Sequence, residues 1–250
     1  MTPQIPPHLP AHFEQNYQRL LKCLKLGGLQ PSTIELYSRG VCRAGAYFDY
    51  QIDDLNKLQL TDYFVHIIDT LSWSSLKHDL YGLKFYYVKV LDKPWPGADL
   101  VKPPKSYTLP DIVTVPQAQK IFMATRVLSY RVFFFTLYSL GLRLGEGLNL
   151  QIGDIDADRM RVQIRHAKGN RDRFVPLPEN TLQVLRRFWA THRNPTLLFP
   201  NRRGGLEQSH IATTPLDRGG IQAALHQVTR DCGLKKELRR IAFAIPTPLI

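Results

Sequence analysis

Between Lys93 and Asp111 the chain reads KPWPGADLVKPPKSYTLPD, a segment with five prolines and one glycine. Proline lacks an amide hydrogen and its ring clashes with the preceding helical turn, so no helix crosses this stretch and no central strand accommodates it. The chain is therefore expected to fold as two bodies joined by an extended linker over 93–110, with the boundary near residue 108. A length of 250 residues and a hydrophobic content of 44% suffice for two cores of ordinary size.

Before the linker, apolar residues recur at helical spacing. HFEQNYQRLLKCLKLGG opens the series. The next segment places Ile34, Tyr37, Val41, Ala44 and Phe48 on one face, with Ser32 after Pro31 as a candidate cap. LQLTDYFVHIIDTL repeats the pattern through Phe64, Ile67, Ile68 and Leu71, with Thr61 as its candidate cap. A fourth run carries Leu76, Leu80, Leu83, Tyr87 and Leu91. The spacing predicts a bundle of about four short helices over residues 1–92. Its lysines and aromatics form no stacking motif, so taken alone it is a small helical domain.

After the linker, TVPQAQKIFMAT and YRVFFFTLYSLG read as two helices, the second apolar on nearly every face. The period then changes to two. DRMRVQIRHAKGNRDRFVPLP alternates around Met160, Val162 and Ile164, turns through Lys168, Gly169 and Asn170, and resumes at Phe174, Val175 and Leu177. That is a two-stranded hairpin with a basic tip. A helix starting at Pro178 and a last one over IQAALHQVTRDCG, closed by Gly233, complete the segment. The fold class is thus mainly α with a small β-sheet.

Charge is divided unevenly between the halves. Residues 1–110 hold 12 lysines and arginines against 10 acidic residues, whereas residues 111–250 hold 21 against 11. A strongly positive half favours a polyanion, most simply double-stranded DNA, through neutralisation of phosphates and release of their counterions. A generally basic surface without such a partner is the plainer alternative. No run approaches the roughly 18 uninterrupted apolar residues of a membrane span, and the N-terminus MTPQIPPHLPAHFEQ has no leader pattern. A cytoplasmic protein with no membrane partner is the expectation. Cys23, Cys42 and Cys232 have neither metal-ligand spacing nor a paired framework.

Two places could carry chemistry. Arg143 and Glu146 stand three residues apart inside the apolar stretch YSLGLRLGEGLNLQIGDID. Desolvating both charges costs several kcal/mol and seldom adds net stability, so such a pair calls for a reason. Arginine stays charged when dehydrated and offers a planar fork of donors that suits a phosphate; Glu146, one turn away, can orient it. An ion pair stapling two helices is the plain alternative. Lys168, on the basic turn, is placed to serve a phosphate or a leaving oxygen, or is one solvated charge among Arg165, Arg171 and Arg173.

The order of these residues resembles the catalytic domain of the tyrosine recombinases, the phage integrase family, and the bundle before it resembles their core-binding, SAM-like domain. The likeness spans roughly residues 10–236. The family's first box, Gly-x-Arg-x-x-Glu followed by Leu-x-x-x-Asp-Ile, is met by Gly141, Arg143, Glu146, Leu150, Asp154 and Ile155. Its hairpin box, Lys-Gly-x-x-x-Arg-x-x-Pro-Leu, is met by Lys168, Gly169, Arg173, Pro176 and Leu177. The resemblance implies site-specific DNA recombination and integration, as in mobile elements. A tyrosine attacks a DNA phosphate, a 5′-hydroxyl reverses the step, and no cofactor is needed. It makes Arg143 the first phosphate-stabilising arginine, Glu146 its support and Lys168 the general acid. Arg165, Arg171 and Arg173 become further phosphate contacts. Double-stranded DNA, together with other recombinase subunits on it, is the implied partner; no metal and no small-molecule substrate is.

The pattern then breaks. The family's third box, His-x-x-Arg, and the tyrosine after it should follow the helix ending at Gly233. The last histidine here is His226, and the last tyrosine, Tyr138, precedes the first box in an apolar helix that suits a core position. The tail GLKKELRRIAFAIPTPLI carries Arg239 and Arg240 with no histidine three residues before either. One permitted set of codons for Leu238–Ile250, read in a shifted frame, gives Pro-Pro-His-Ser-Leu-Arg-His-Thr-Tyr-Ala-Thr-His, which resembles the missing box. The expectation is therefore a partial catalytic-type domain over 111–236, an aberrant tail over 237–250 from a frameshift near codon 237, and a chain that binds DNA without cleaving it. The alternatives are an active recombinase with an unrecognised or trans-supplied tyrosine, and a helical interaction protein that binds no DNA.

Overall fold

A computed structural model describes residues 10–97, 101–102, 113–167, 171–205 and 207–234. The chain divides into two compact units, Met1–Ser106 and Tyr107–Ile250. Among the described residues no helix is long and apolar enough to cross a membrane.

The first unit is built from helices α1 (Ala11–Leu26), α2 (Pro31–Tyr47), α3 (Lys57–Thr70) and α4 (Trp73–Lys89). Their apolar faces meet in one core that includes Phe13, Leu20, Val41, Leu60, Tyr63, Leu83 and Tyr86, all fully buried. Both candidate caps are displaced. Pro31 is itself the first residue of α2, where its missing amide costs nothing, and Gln30 precedes it without a side-chain cap. In α3 the cap is Asn56, whose side chain accepts from the Gln59 amide while Gln59 caps the Asn56 amide in return. Thr61 lies inside that helix and donates to the Lys57 carbonyl.

Helices α2 and α4 approach closely because glycines face the contact. A Cβ at Gly82 would stand 2.7 Å from the Tyr37 carbonyl oxygen, and one at Gly40 would stand 2.8 Å from Asp79 Oδ1. Asp79 has no exposed surface and accepts from the Tyr63 hydroxyl at 2.7 Å. The start of the proline-rich segment packs on this bundle: Lys93 pairs with Asp54 at 2.5 Å, and the Trp95 ring meets Tyr87 edge-on at 5.5 Å.

The second unit starts with α5 (Val115–Ala124) and α6 (Leu128–Leu140), followed by the short α7 (Leu144–Leu148) and a 3-10 turn at Ile152–Asp154. Strands β1 (Ile155–Asp156), β2 (Arg161–Ala167) and β3 (Arg171–Pro176) form an antiparallel sheet in that order. Helix α8 (Glu179–His192), a 3-10 turn at Glu207–Ile211 and α9 (Arg218–Asp231) complete it. The sheet has three strands where a two-stranded hairpin was expected; β1, two residues long, is too short to show a period. One expected inward position differs: Phe174 faces outward under the Arg161 guanidinium, 4.2 Å from the ring centre. Met160 sits in the turn before β2 with φ at 48° and packs, partly buried, against the core. Val162, Ile164 and Leu177 are buried as the alternation requires.

Candidate nucleic-acid interface

The Arg143 segment is shaped by where α6 must stop. Gly141 ends that helix in the left-handed conformation, with φ 61° and ψ 37°, which a residue with a Cβ adopts only at a cost. Leu142 turns into the core, and Arg143 becomes the N-cap of α7 with Glu146 at its third position. Glu146 Oε2 accepts from the Arg143 amide at 2.9 Å. The three-residue spacing is therefore half of a capping box, the half that a carboxylate supplies; arginine has no acceptor to return. Gly147 lets α7 lie against α6, since a Cβ there would meet Leu137 Cδ2 at 2.4 Å and Phe133 Cε2 at 3.1 Å.

Of the two charges set in the apolar stretch, only the anion is buried. The Glu146 side chain is 7% exposed and that of Arg143 is 59% exposed. Arg143 Nη1 donates to Glu146 Oε1 at 3.0 Å. Burial alone would raise the Glu146 pKa. The two hydrogen bonds from Arg173, with those from the Arg143 amide and guanidinium, instead hold it down to about 2.

Arg173 belongs to the same cluster. Its Nη1 and Nη2 donate to Glu146 Oε1 and Oε2, each at 2.8 Å, in the fork-on-fork geometry that arginine makes with a carboxylate. Strand register explains the placement: Arg173 pairs with Ile164, so it shares the core-facing side of the sheet. A cation on that side requires a partner, and Glu146, on α7, is there. Arg165 Nε stands 2.6 Å from Oδ1 of the buried Asp154, whose other oxygen accepts from the Gln151 amide. This explains the Asp of the first box, which anchors the turn leading into β1. The Arg171 backbone is in β3 opposite Ala167, and Lys168 lies outside the described residues, as does the tail over 237–250. Tyr138 is partly buried in the core with its ring edge-on to Phe122 at 5.9 Å.

Arg218 is a cation that the sequence did not single out. It opens α9 after the Asp217 cap, is exposed, and puts Nη2 within 3.8 Å of where a Gly145 Cβ would stand, beside α7. It belongs to no motif, and its neighbour in space is 73 residues away in the chain. Only the packing of α9 near α7 reveals it.

The phage integrase family matches residues 111–243, more than half of the chain, and the phage integrase N-terminal SAM-like domain matches residues 17–97. The chain therefore belongs to the phage integrase, or tyrosine recombinase, family. It is similar to the putative integrase/recombinase y4qK of Sinorhizobium fredii, 28% identical over 75% of this chain and 62% of the relative. It is also similar to y4eF of the same organism, 31% identical over 62% of this chain and 58% of that relative. The chain thus spans about three fifths of the length of these two relatives. Among solved structures, a lambda integrase dimer bound to a COC′ core site matches with a TM-score of 0.68 at 16% identity, over 90% of this chain and 64% of that one. The Tn1549 transposon integrase in complex with transposon right-end DNA gives 0.61 at 16% identity, over 89% and 79%. At such identities the likeness is one of fold.

Proposed function

We propose that this chain binds double-stranded DNA through the phosphate backbone and does not itself cut or join it. The observation that carries the reading is the Arg143 guanidinium, held by its own short helix at the surface of a unit with a large positive balance. The same unit carries Arg165, Arg171 and Arg218, the last of them beside α7, and Lys168 lies between Arg165 and Arg171 in the sequence. Relatives named as integrases and recombinases, and fold neighbours solved on DNA, support a DNA partner.

The inactive half of the proposal rests on chemistry that this chain does not hold. No tyrosine follows Tyr138 and no His-x-x-Arg follows Gly233. A phosphate displacement that needs a nucleophile, a second arginine and a histidine acting together is not restored by the groups that remain. The shifted-frame reading of Leu238–Ile250 accounts for the loss, and the nucleotide sequence through codon 237 decides it: codons at Ile241 or Pro246 other than those the shifted reading needs would remove it.

In an electrophoretic assay the chain is expected to retard random duplex DNA at low salt, with affinity falling steeply as salt rises. On a nicked suicide substrate it is expected to give no covalent adduct. Absence of retardation at low salt would refute DNA binding, and an adduct would refute inactivity.

A further inference from the structure

We propose that Arg173 is a positioning residue that neutralises Glu146, so that the charge of Arg143 is left over for a DNA phosphate, and that Arg173 itself touches no DNA. This rests on the phosphate-binding role given to Arg143 above, and it replaces the expectation that Arg173 is a direct phosphate contact.

The geometry divides the labour. A carboxylate 7% exposed needs both a counter-charge and donors for its lone pairs. Arg143 alone would supply one guanidinium bond and one amide bond, and its charge would be consumed: an arginine and a glutamate sum to zero. Arg173 adds two bonds at 2.8 Å, so each Glu146 oxygen accepts two hydrogen bonds and the three side chains together carry one net positive charge. That surplus sits where solvent reaches it. Arg143 is the more exposed of the two cations, at 59% against 35%, and has one guanidinium bond to Glu146 where Arg173 has two.

A second consequence is mechanical. Glu146 is on α7 and Arg173 is on β3, 27 residues further on. Their link latches the strand that follows the basic turn onto the helix that Arg143 caps. The two boxes of the sequence thereby share one carboxylate, and the hairpin bearing Lys168 is held at its β3 end to the element that positions Arg143.

A double-mutant cycle tests this on the full chain, with binding of a short fluorescent duplex followed by anisotropy at low salt. Arg173→Gln should weaken binding about tenfold, the size of one lost charge-assisted contact. In the Glu146→Gln background there is no carboxylate left to neutralise and Arg143 is free with or without Arg173, so adding Arg173→Gln should cost much less than tenfold. The same tenfold loss in both backgrounds would overturn the proposal and put Arg173 on the DNA; so would an Arg173→Gln single variant that is folded and binds like wild type. If Arg173→Gln fails to fold, comparison of the two Glu146→Gln proteins still decides. Failure of wild type to bind at low salt is a separate outcome that refutes the DNA reading instead.

Discussion

Asp79 gives the helical unit a stability that should decline as pH rises through the weakly acid range. The carboxyl is completely buried where α2 and α4 touch. Burial pushes its pKa from 3.8 up to about 6, and the Tyr63 hydroxyl and the Arg43 guanidinium, whose Nε is 3.1 Å away, offset only part of that rise. Its Oδ1 has no hydrogen-bond partner among the described residues. Tyr63 faces it from α3 and Arg43 from α2; the neighbouring His78 is itself held below its usual pKa by burial and by Arg43. Below pH 3.8 both folded and unfolded chains keep the Asp79 proton. Between 3.8 and about 6 the unfolded chain releases it and the folded chain holds it, so each rise in pH favours unfolding. At 1.36 kcal/mol per pK unit the loss amounts to about 3 kcal/mol by neutral pH. Asp79→Asn keeps the shape and removes the charge. The stability of this variant relative to wild type should climb by about 3 kcal/mol between pH 4 and 6.5 and then level off. Urea unfolding of the full chain in a Trp189→Phe background reads the first unit through Trp73 and Trp95. A difference between the two proteins that stays flat with pH would refute the reasoning, because no other carboxylate changes between them.

Two further substitutions probe the unit that carries the site. Gly147→Ala would drive a methyl into Leu137 and Phe133 and should cost about 2–3 kcal/mol, the range for overpacking a tight contact. Because α7 would have to move, DNA affinity should fall with it, and a variant of full affinity and unchanged urea midpoint would contradict the packing. Asn194 is 1% exposed; its Oδ1 accepts from the amides of Thr196 and Leu197, and its Nδ2 donates to the carbonyls of Ser209 and Ala212. Asn194→Ala strands these groups and should cost about 3 kcal/mol. The emission of Trp189, whose Nε1 donates to the Asn194 carbonyl at 2.9 Å, reports the transition, and a loss under 1 kcal/mol would show that water replaces the side chain freely.

The parts of this fold that the sequence reveals are those governed by local spacing. Apolar periodicity finds the four helices described in the first unit because each buries one face, and the division between the compact units falls within the proline-rich segment. Helix starts are harder. Ser32 and Thr61 have the right chemistry for caps, but Pro31 pre-empts the first, and the Asn56–Gln59 box lies ahead of the strongest periodic stretch of its helix. At the site, Arg143 and Glu146 are legible as a pair because three residues make one turn. The link from Glu146 to Arg173 is not, since its partners are 27 residues apart and only the β2–β3 register turns Arg173 inward.

That distant link changes what the first box means. With Arg143 and Glu146 alone, a buried carboxylate beside the arginine proposed to bind phosphate would be a poor arrangement, because the acid would compete with the phosphate for the same guanidinium. Glu146 is nevertheless needed to cap α7 at the Arg143 amide, which sets the direction in which Arg143 leaves the helix. A second arginine resolves the conflict: Arg173 supplies the counter-charge and Glu146 keeps the geometry. The spacing Arg-x-x-Glu and the remote Arg-x-x-Pro-Leu are then one electrostatic unit. On this view a change at Arg173 should be felt at Arg143 before it is felt in the core.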